Sequence, residues 1–169
     1  MHDLGLIGVL PDGIGYGNVS IRLNESEKFI ISGTATGGKR ELALTDYCLV
    51  DSFNVRRNEV FCTGRIRASS ESMSHGSVYQ ANPAITCVIH IHHQALFRFM
   101  LENGYLRTSE RAAYGTPEIA EETVRLVRDT GAAQGIFVMA GHEDGIVAYG
   151  ADIESARQLL LEVCHKAIG

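Results

Sequence analysis

The segment from Ser69 to His93, SSESMSHGSVYQANPAITCVIHIHH, constrains this chain more than any other. It reads as a helix start carrying Ser69, Ser70 and Glu71, a turn at Asn82-Pro83, and a buried strand ending in His90-Ile91-His92. Successive side chains of a strand point to opposite faces, so His90 and His92 project together. Two imidazoles side by side are half of a metal site. The other face of the same strand carries Cys87, Ile89 and Ile91, which suit a hydrophobic core.

The chain has 169 residues and is 45% hydrophobic, enough for one globular domain over residues 1–169 with a sizeable core. Its net charge of −5, with no basic stripe, argues against nucleic acid as a partner. No stretch approaches the length of a membrane span. The N-terminus, MHDLGLIGVLPDGIG, lacks the charged n-region and long apolar run of a signal peptide. Cys48, Cys62, Cys87 and Cys164 are scattered, without a C-x-x-C pair and mostly in apolar surroundings, and fit buried reduced thiols in a cytoplasm better than a disulfide framework.

Residues 16–23 and 28–32 alternate polar and apolar around the link NESE, which predicts a hairpin. The loop SGTATGGKRE follows, where glycines can supply positive φ and let the backbone approach a ligand closely. An ordinary wide loop explains the glycines equally well. Two short strands are expected at 47–53 and 59–63. The helix of the central segment runs from about Ser70 to Gln80 and must stop before Pro83. Glu71 and His75 are four apart and share one face of it.

Beyond His93, a short helix is expected from Gln94 to Glu102, stopping at Asn103-Gly104. Thr116 reads as an N-cap with Pro117 at the first helical position, and Gly131 closes that helix. A buried strand at 135–140, a turn at 141–145, a strand at 146–149 and a helix from Ile153 to Lys166 capped by Asp152 complete the chain. Strands outnumber helices and several are hairpin-linked. The expected fold is therefore α/β, with helices packed on the faces of a mixed, mainly antiparallel sheet.

A lone His-x-His also occurs in cupins, in hydrolases and in buried structural pairs. The metal reading gains from His142, which lies in a glycine-flanked turn straight after an apolar strand. It gains again from Glu71, which opens the helix leading into the His90/His92 strand. Three neutral imidazoles with an open fourth position describe a catalytic zinc-type site, and a nearby glutamate can fill the vacancy or act as base. The hydroxyls of Ser69 and Ser70 and the free N–H groups of a first helical turn can hold an anion. Plain helix capping is the other reading of these serines.

The ordered set GNVS, TATGG, SSE with a histidine four residues on, HIHH, YGTPEIAEE and GHEDGIVAYG resembles the class II aldolase/adducin head-domain family. The resemblance runs from about Gly17 to the last helix. It implies a three-layer α/β/α domain and a homotetramer with active sites at subunit contacts. It implies His90, His92 and His142 as ligands of zinc or another divalent ion, and Glu71 as the catalytic acid/base. Asn18, Thr36, Gly37, Ser69 and Ser70 are the implied phosphate-binding set. Only 17 residues precede Asn18, a shortened N-terminus for the family. Tyr105 stands by position where the family often places a substrate-contacting tyrosine, and Glu143-Asp144 replaces the glycine that usually follows the third histidine.

The activity implied is that of a cytoplasmic, metal-dependent lyase of carbohydrate metabolism, an aldolase acting on a small phosphorylated keto-sugar or hydroxy-ketone. The ion would act as Lewis acid on the carbonyl and adjacent hydroxyl oxygens while Glu71 removes a proton from the neighbouring carbon, giving a metal-stabilised enediolate. The same parts suit a methylthioribulose-1-phosphate dehydratase or a sugar-phosphate epimerase. The alternative from another class is a non-catalytic adducin-like interaction domain. His93 is expected to be structural, and His75 to support the site by a hydrogen bond.

Overall fold

The computed structural model describes residues 1–24 and 26–168. Thirteen helices and strands follow in order, beside short 3-10 turns at His2–Leu4 and Leu44–Asp46. The strands are β1 (Gly8–Val9), β2 (Gly15–Tyr16), β3 (Asn18–Arg22), β4 (Phe29–Ser32), β5 (Tyr47–Asn54), β6 (Glu59–Gly64), β7 (Cys87–His92), β8 (Gly135–Val138) and β9 (Gly145–Gly150). The helices are α1 (Ser72–Ala81), α2 (Gln94–Glu102), α3 (Pro117–Thr130) and α4 (Ile153–Ile168). None of the described helices is long and apolar enough to cross a membrane.

Strands β3 to β9 form one sheet in the order β6-β5-β4-β3-β7-β9-β8, antiparallel at every strand pairing. Among the described residues one parallel bridge, between Arg107 outside the named strands and Val138 of β8, gives it a mixed edge. The predicted β3–β4 hairpin forms, with the Leu23 N–H donating to the Lys28 carbonyl at 2.8 Å. Glu25, in its connection, lies outside the described residues.

Alternation along the central strands divides the core in two. Val88, Phe137, Val147 and Tyr149 face α1 and α3, where Val78, Tyr79, Ile119, Leu126 and Val127 meet them. Cys87, Ile89, Ile91, Ile136, Val138, Ile146 and Ala148 face α2 and α4, against Leu96, Met100, Ala156, Leu160 and Val163. Helices thus cover both faces of the sheet, the three-layer α/β/α arrangement expected. The strand β7 carries the histidine pair. It sends Cys87, Ile89 and Ile91 into the α2/α4 core and leaves His90 and His92 on the α1 side.

Local structure departs from expectation in three places. Helix α1 starts at Ser72, so Ser69 and Ser70 belong to the preceding turn and Glu71 takes the N-cap position. Eight consecutive residues of α1, Ser72 to Tyr79, are buried, so the helix carries no amphipathic stripe to mark its start. Thr116 precedes α3 as predicted, but its hydroxyl donates to the Ala113 carbonyl at 2.7 Å instead of capping. In the TATGG loop the positive φ falls on Ala35 (φ 58°), not on a glycine. Gly37 serves packing there. A Cβ on it would run into the Gly8 carbonyl and the Tyr16 backbone, so the absent side chain admits the small β1–β2 sheet.

The four cysteines are free thiols. Cys48, Cys87 and Cys164 are buried as expected, while Cys62 is exposed on β6.

Candidate active site

Two elements bring the histidines together. His90 and His92 come from the end of β7, and His142 from the turn between β8 and β9. That turn is closed by the His142 N–H to the Met139 carbonyl (2.8 Å) and the Gly145 N–H to the His142 carbonyl (2.9 Å). Asp144 takes the left-handed conformation it requires (φ 61°), a role aspartate fills more readily than most side chains. One ligating atom from each of His90, His92 and His142 lies within 4.8 Å of the others. Their ring centroids are 4.5 to 5.4 Å apart.

Glu71 completes the cluster. Its Oε1 stands 3.9 Å from His142 Nε2, and its Oε2 accepts a hydrogen bond from Ser74 at 3.0 Å. Burial raises the Glu71 carboxyl to about 7, against the opposing Ser74 hydroxyl. Burial also holds His90 well below the ordinary histidine value, with smaller contributions from the neighbouring imidazoles, and lowers His142 to about 4. His92 is lowered by burial too, opposed by a hydrogen bond to the main chain of Glu143. The three rings are therefore neutral at physiological pH, the form that ligates a metal.

Both ring nitrogens of His90 and Oε1 of Glu71 are buried without a hydrogen-bond partner among the described residues. Buried polar atoms rarely stay unpaired. An ion among the three imidazoles fits this donor set, since it would partner a His90 nitrogen and stand beside the orphaned carboxylate oxygen.

The histidines and Glu71 line a cavity of about 570 Å³, with Asn18, Ser69, Ser70, Leu10, Ile14, Tyr16 and Tyr114 among its other walls. Asn18 pairs with His90 across β3 and β7, and its Nδ2 donates to Ser69 Oγ at 2.9 Å. The same Ser69 oxygen accepts the Glu71 N–H at 3.3 Å. Ser70 is exposed to the cavity. Thr36 and Gly37 are not among the walls of this cavity. The Thr36 hydroxyl donates to the Gly33 carbonyl (2.8 Å), and Thr36 lines a smaller adjoining cavity of about 230 Å³ that shares Gly17 and Asn18 as walls.

Among the other sequence candidates, His93 is structural: its Nδ1 accepts the Leu96 N–H at 3.1 Å as N-cap of α2. His75 is fully buried behind the site and hydrogen-bonded to Ser20 Oγ at 2.7 Å, which also meets the Tyr79 hydroxyl at 2.7 Å. Tyr105 packs against Phe99 on the α2 side, away from the cavity. Sequence reasoning missed Tyr114, whose ring stacks on His142 with centroids 4.6 Å apart. It also missed Tyr16, tilted over His92 at 5.7 Å. The signal for Tyr114 was its place in YGTPEIAEE, just ahead of a helix start.

The family profile for the class II aldolase and adducin N-terminal domain matches residues 12–167. The chain belongs to that family. No curated protein matches this class II aldolase-family domain in sequence. Among solved structures it resembles an L-fuculose 1-phosphate aldolase (TM-score 0.68, 22% identity, 94% of this chain and 75% of that one). It resembles YgbL from Klebsiella pneumoniae, for which aldolase, epimerase and decarboxylase activities are all put forward (TM-score 0.67, 19% identity, 94% and 80%). An L-fuculose-1-phosphate aldolase from Thermus thermophilus is also similar (TM-score 0.58, 20% identity, 99% and 92%). At these identities the likeness is one of fold.

Proposed function

We propose that this class II aldolase-family domain is a metal-dependent lyase that makes or breaks a carbon–carbon bond beside a carbonyl, with a small phosphorylated keto-sugar or hydroxy-ketone as substrate. The observation that carries this reading is the convergence of His90, His92 and His142 within 4.8 Å beside a buried Glu71. These three residues would hold the ion, and zinc suits an open three-nitrogen set. A bound divalent ion supplies Lewis acidity toward the carbonyl oxygen.

The chain's own part is proton transfer and placement. Glu71, with its carboxyl raised to about 7 by burial, can hold or release a proton near neutral pH. It can take a proton from the carbon next to the carbonyl and return it in the reverse direction. Ser74 orients the carboxyl from behind. Asn18, Ser69 and Ser70 offer amide and hydroxyl groups to the substrate's phosphate, at the cavity wall beside the N-terminus of α1. The apolar residues Leu10 and Ile14, exposed beside the cavity, suit contact with a second copy of the chain, and a homotetramer with the sites at subunit contacts is the assembly that the family resemblance implies. The three buried free thiols are in keeping with a cytoplasmic protein.

Metal analysis of purified protein, followed by aldehyde release from a panel of ketose 1-phosphates that includes methylthioribulose 1-phosphate, tests the reading. Bound zinc with release of an aldehyde supports it. A protein that takes up no divalent ion overturns it in favour of a non-catalytic interaction domain. Bound metal with dehydration or epimerisation keeps the site and replaces the aldolase assignment.

A further inference from the structure

The three imidazoles are not held in the same way. His90 is fixed by complete burial in the sheet. His92 is flanked by Tyr16, whose hydroxyl is committed to the Gly5 carbonyl at 3.2 Å, and hydrogen-bonds the main chain of Glu143. His142 sits in a turn, and Glu71 at 3.9 Å is too distant for a hydrogen bond. Apart from the other two imidazoles, with His92 edge-on at 4.5 Å, the ring that bears on it is Tyr114, stacked at 4.6 Å with an interplanar angle of 30°.

Tyr114 is 57% exposed, so core burial does not account for where it lies. The backbone around it does. The segment before α3 is joined to β8 through the Thr108 N–H to the Val138 carbonyl (3.0 Å) and the Ala140 N–H to Thr108 Oγ1 (3.0 Å). Asn58 Nδ2 donates to the Gly115 carbonyl at 2.9 Å, fixing the residue next to Tyr114. Gly141, the residue before His142, has no room for a Cβ because the Ala112 carbonyl lies against it. The main-chain segments that carry Tyr114 and His142 therefore touch at Ala112 and Gly141.

We propose that Tyr114 is a positioning residue, whose ring sets the rotation of the His142 imidazole so that it meets His90 and His92 at one point. This rests on the metal reading above. The stacked face does the positioning, and the phenol hydroxyl is dispensable to it.

Cobalt(II) and zinc(II) binding to the full chain tests the proposal, with affinity read by chelator competition and geometry by the visible bands of the cobalt form. Tyr114→Phe keeps the stacked face and is expected to bind as tightly as wild type with the same bands. Tyr114→Ala is expected to bind about tenfold more weakly or worse, the usual cost of losing a residue that orients a ligand, with shifted cobalt bands. Wild-type affinity and bands in Tyr114→Ala overturn the proposal while leaving the metal reading intact. Failure of wild type itself to bind either ion overturns both. If Tyr114→Ala does not fold, Tyr114→Leu, which keeps bulk without an aromatic face, decides: weakened binding supports the proposal and wild-type binding sinks it.

Discussion

Glu71 Oε1 and His142 Nε2 face each other at 3.9 Å, one from the N-cap of α1 and the other from the β8–β9 turn. Burial pushes them in opposite directions, the carboxyl up to about 7 and the imidazole down to about 4. Their contact is therefore not an ion pair at neutral pH. It is a carboxyl and a neutral ligand meeting beside one space.

Glu71→Gln keeps the size of the side chain and removes its ability to exchange a proton. Turnover is expected to fall by about 10²–10⁴-fold, the range for a general acid–base group, while bound zinc is retained. Full activity in this variant, measured with a coupled aldehyde assay alongside metal content, would remove Glu71 from the chemistry.

Ser70→Ala separates substrate anchoring from stability. Ser70 is exposed to the cavity, so the melting temperature should stay within the small range typical of surface changes. Loss of a hydrogen bond to a charged phosphate costs about 1.5–3 kcal/mol. KM for a phosphorylated substrate should rise by about tenfold or more, with metal content unchanged. An unaltered KM places the phosphate elsewhere.

His75 gives a pH signature that does not depend on turnover. It is fully buried, and burial lowers it to about 3 from an ordinary 6.5. The groups around it are the neutral Ser20 and Tyr79 hydroxyls and the His90 ring. As pH falls below 6.5 the unfolded chain takes up this proton and the folded chain does not. Stability is therefore undiminished above 6.5 and declines towards pH 3, by up to about 1.4 kcal/mol per pH unit for this one proton. Denaturant melts of wild type and His75→Gln across that window should show a shallower slope in the variant. Parallel slopes would mean that His75 is protonated in the native state.

Gly141→Ala adds a methyl group where the Ala112 carbonyl lies. Backbone must move, at a cost of about 1–3 kcal/mol for overpacking, and the segment carrying Tyr114 moves with it. Weakened zinc binding together with a lower melting temperature is the expected result of calorimetry on the variant. Unchanged values for both would mean that the two segments are not pressed together in solution.

Much of this was legible in the residue order because it rests on period and on local chemistry. The two-residue period of β7 gave the separation of His90 and His92 from Cys87, Ile89 and Ile91. Helix α2 starts and stops where its apolar spacing and Asn103-Gly104 indicate, and Gly131 closes α3 in the left-handed conformation (φ 62°). The start of α1 was misplaced because a helix buried on all sides has no polar face to mark its first turn. Strands β1 and β2, two residues each, carry no period at all. Tyr114 and Tyr105 cannot be told apart by spacing. Which of them reaches the histidines depends on contacts between segments distant in sequence, such as Gly141 with Ala112.

Because β7 supplies ligands from one face and core from the other, His90 and His92 have no freedom apart from the sheet. Sliding the strand by a single residue would turn both imidazoles inward and both isoleucines outward at once. Warming should therefore carry His90 and His92 away together with the secondary structure in one transition, and any earlier loss of metal capture would trace to the turn that carries His142.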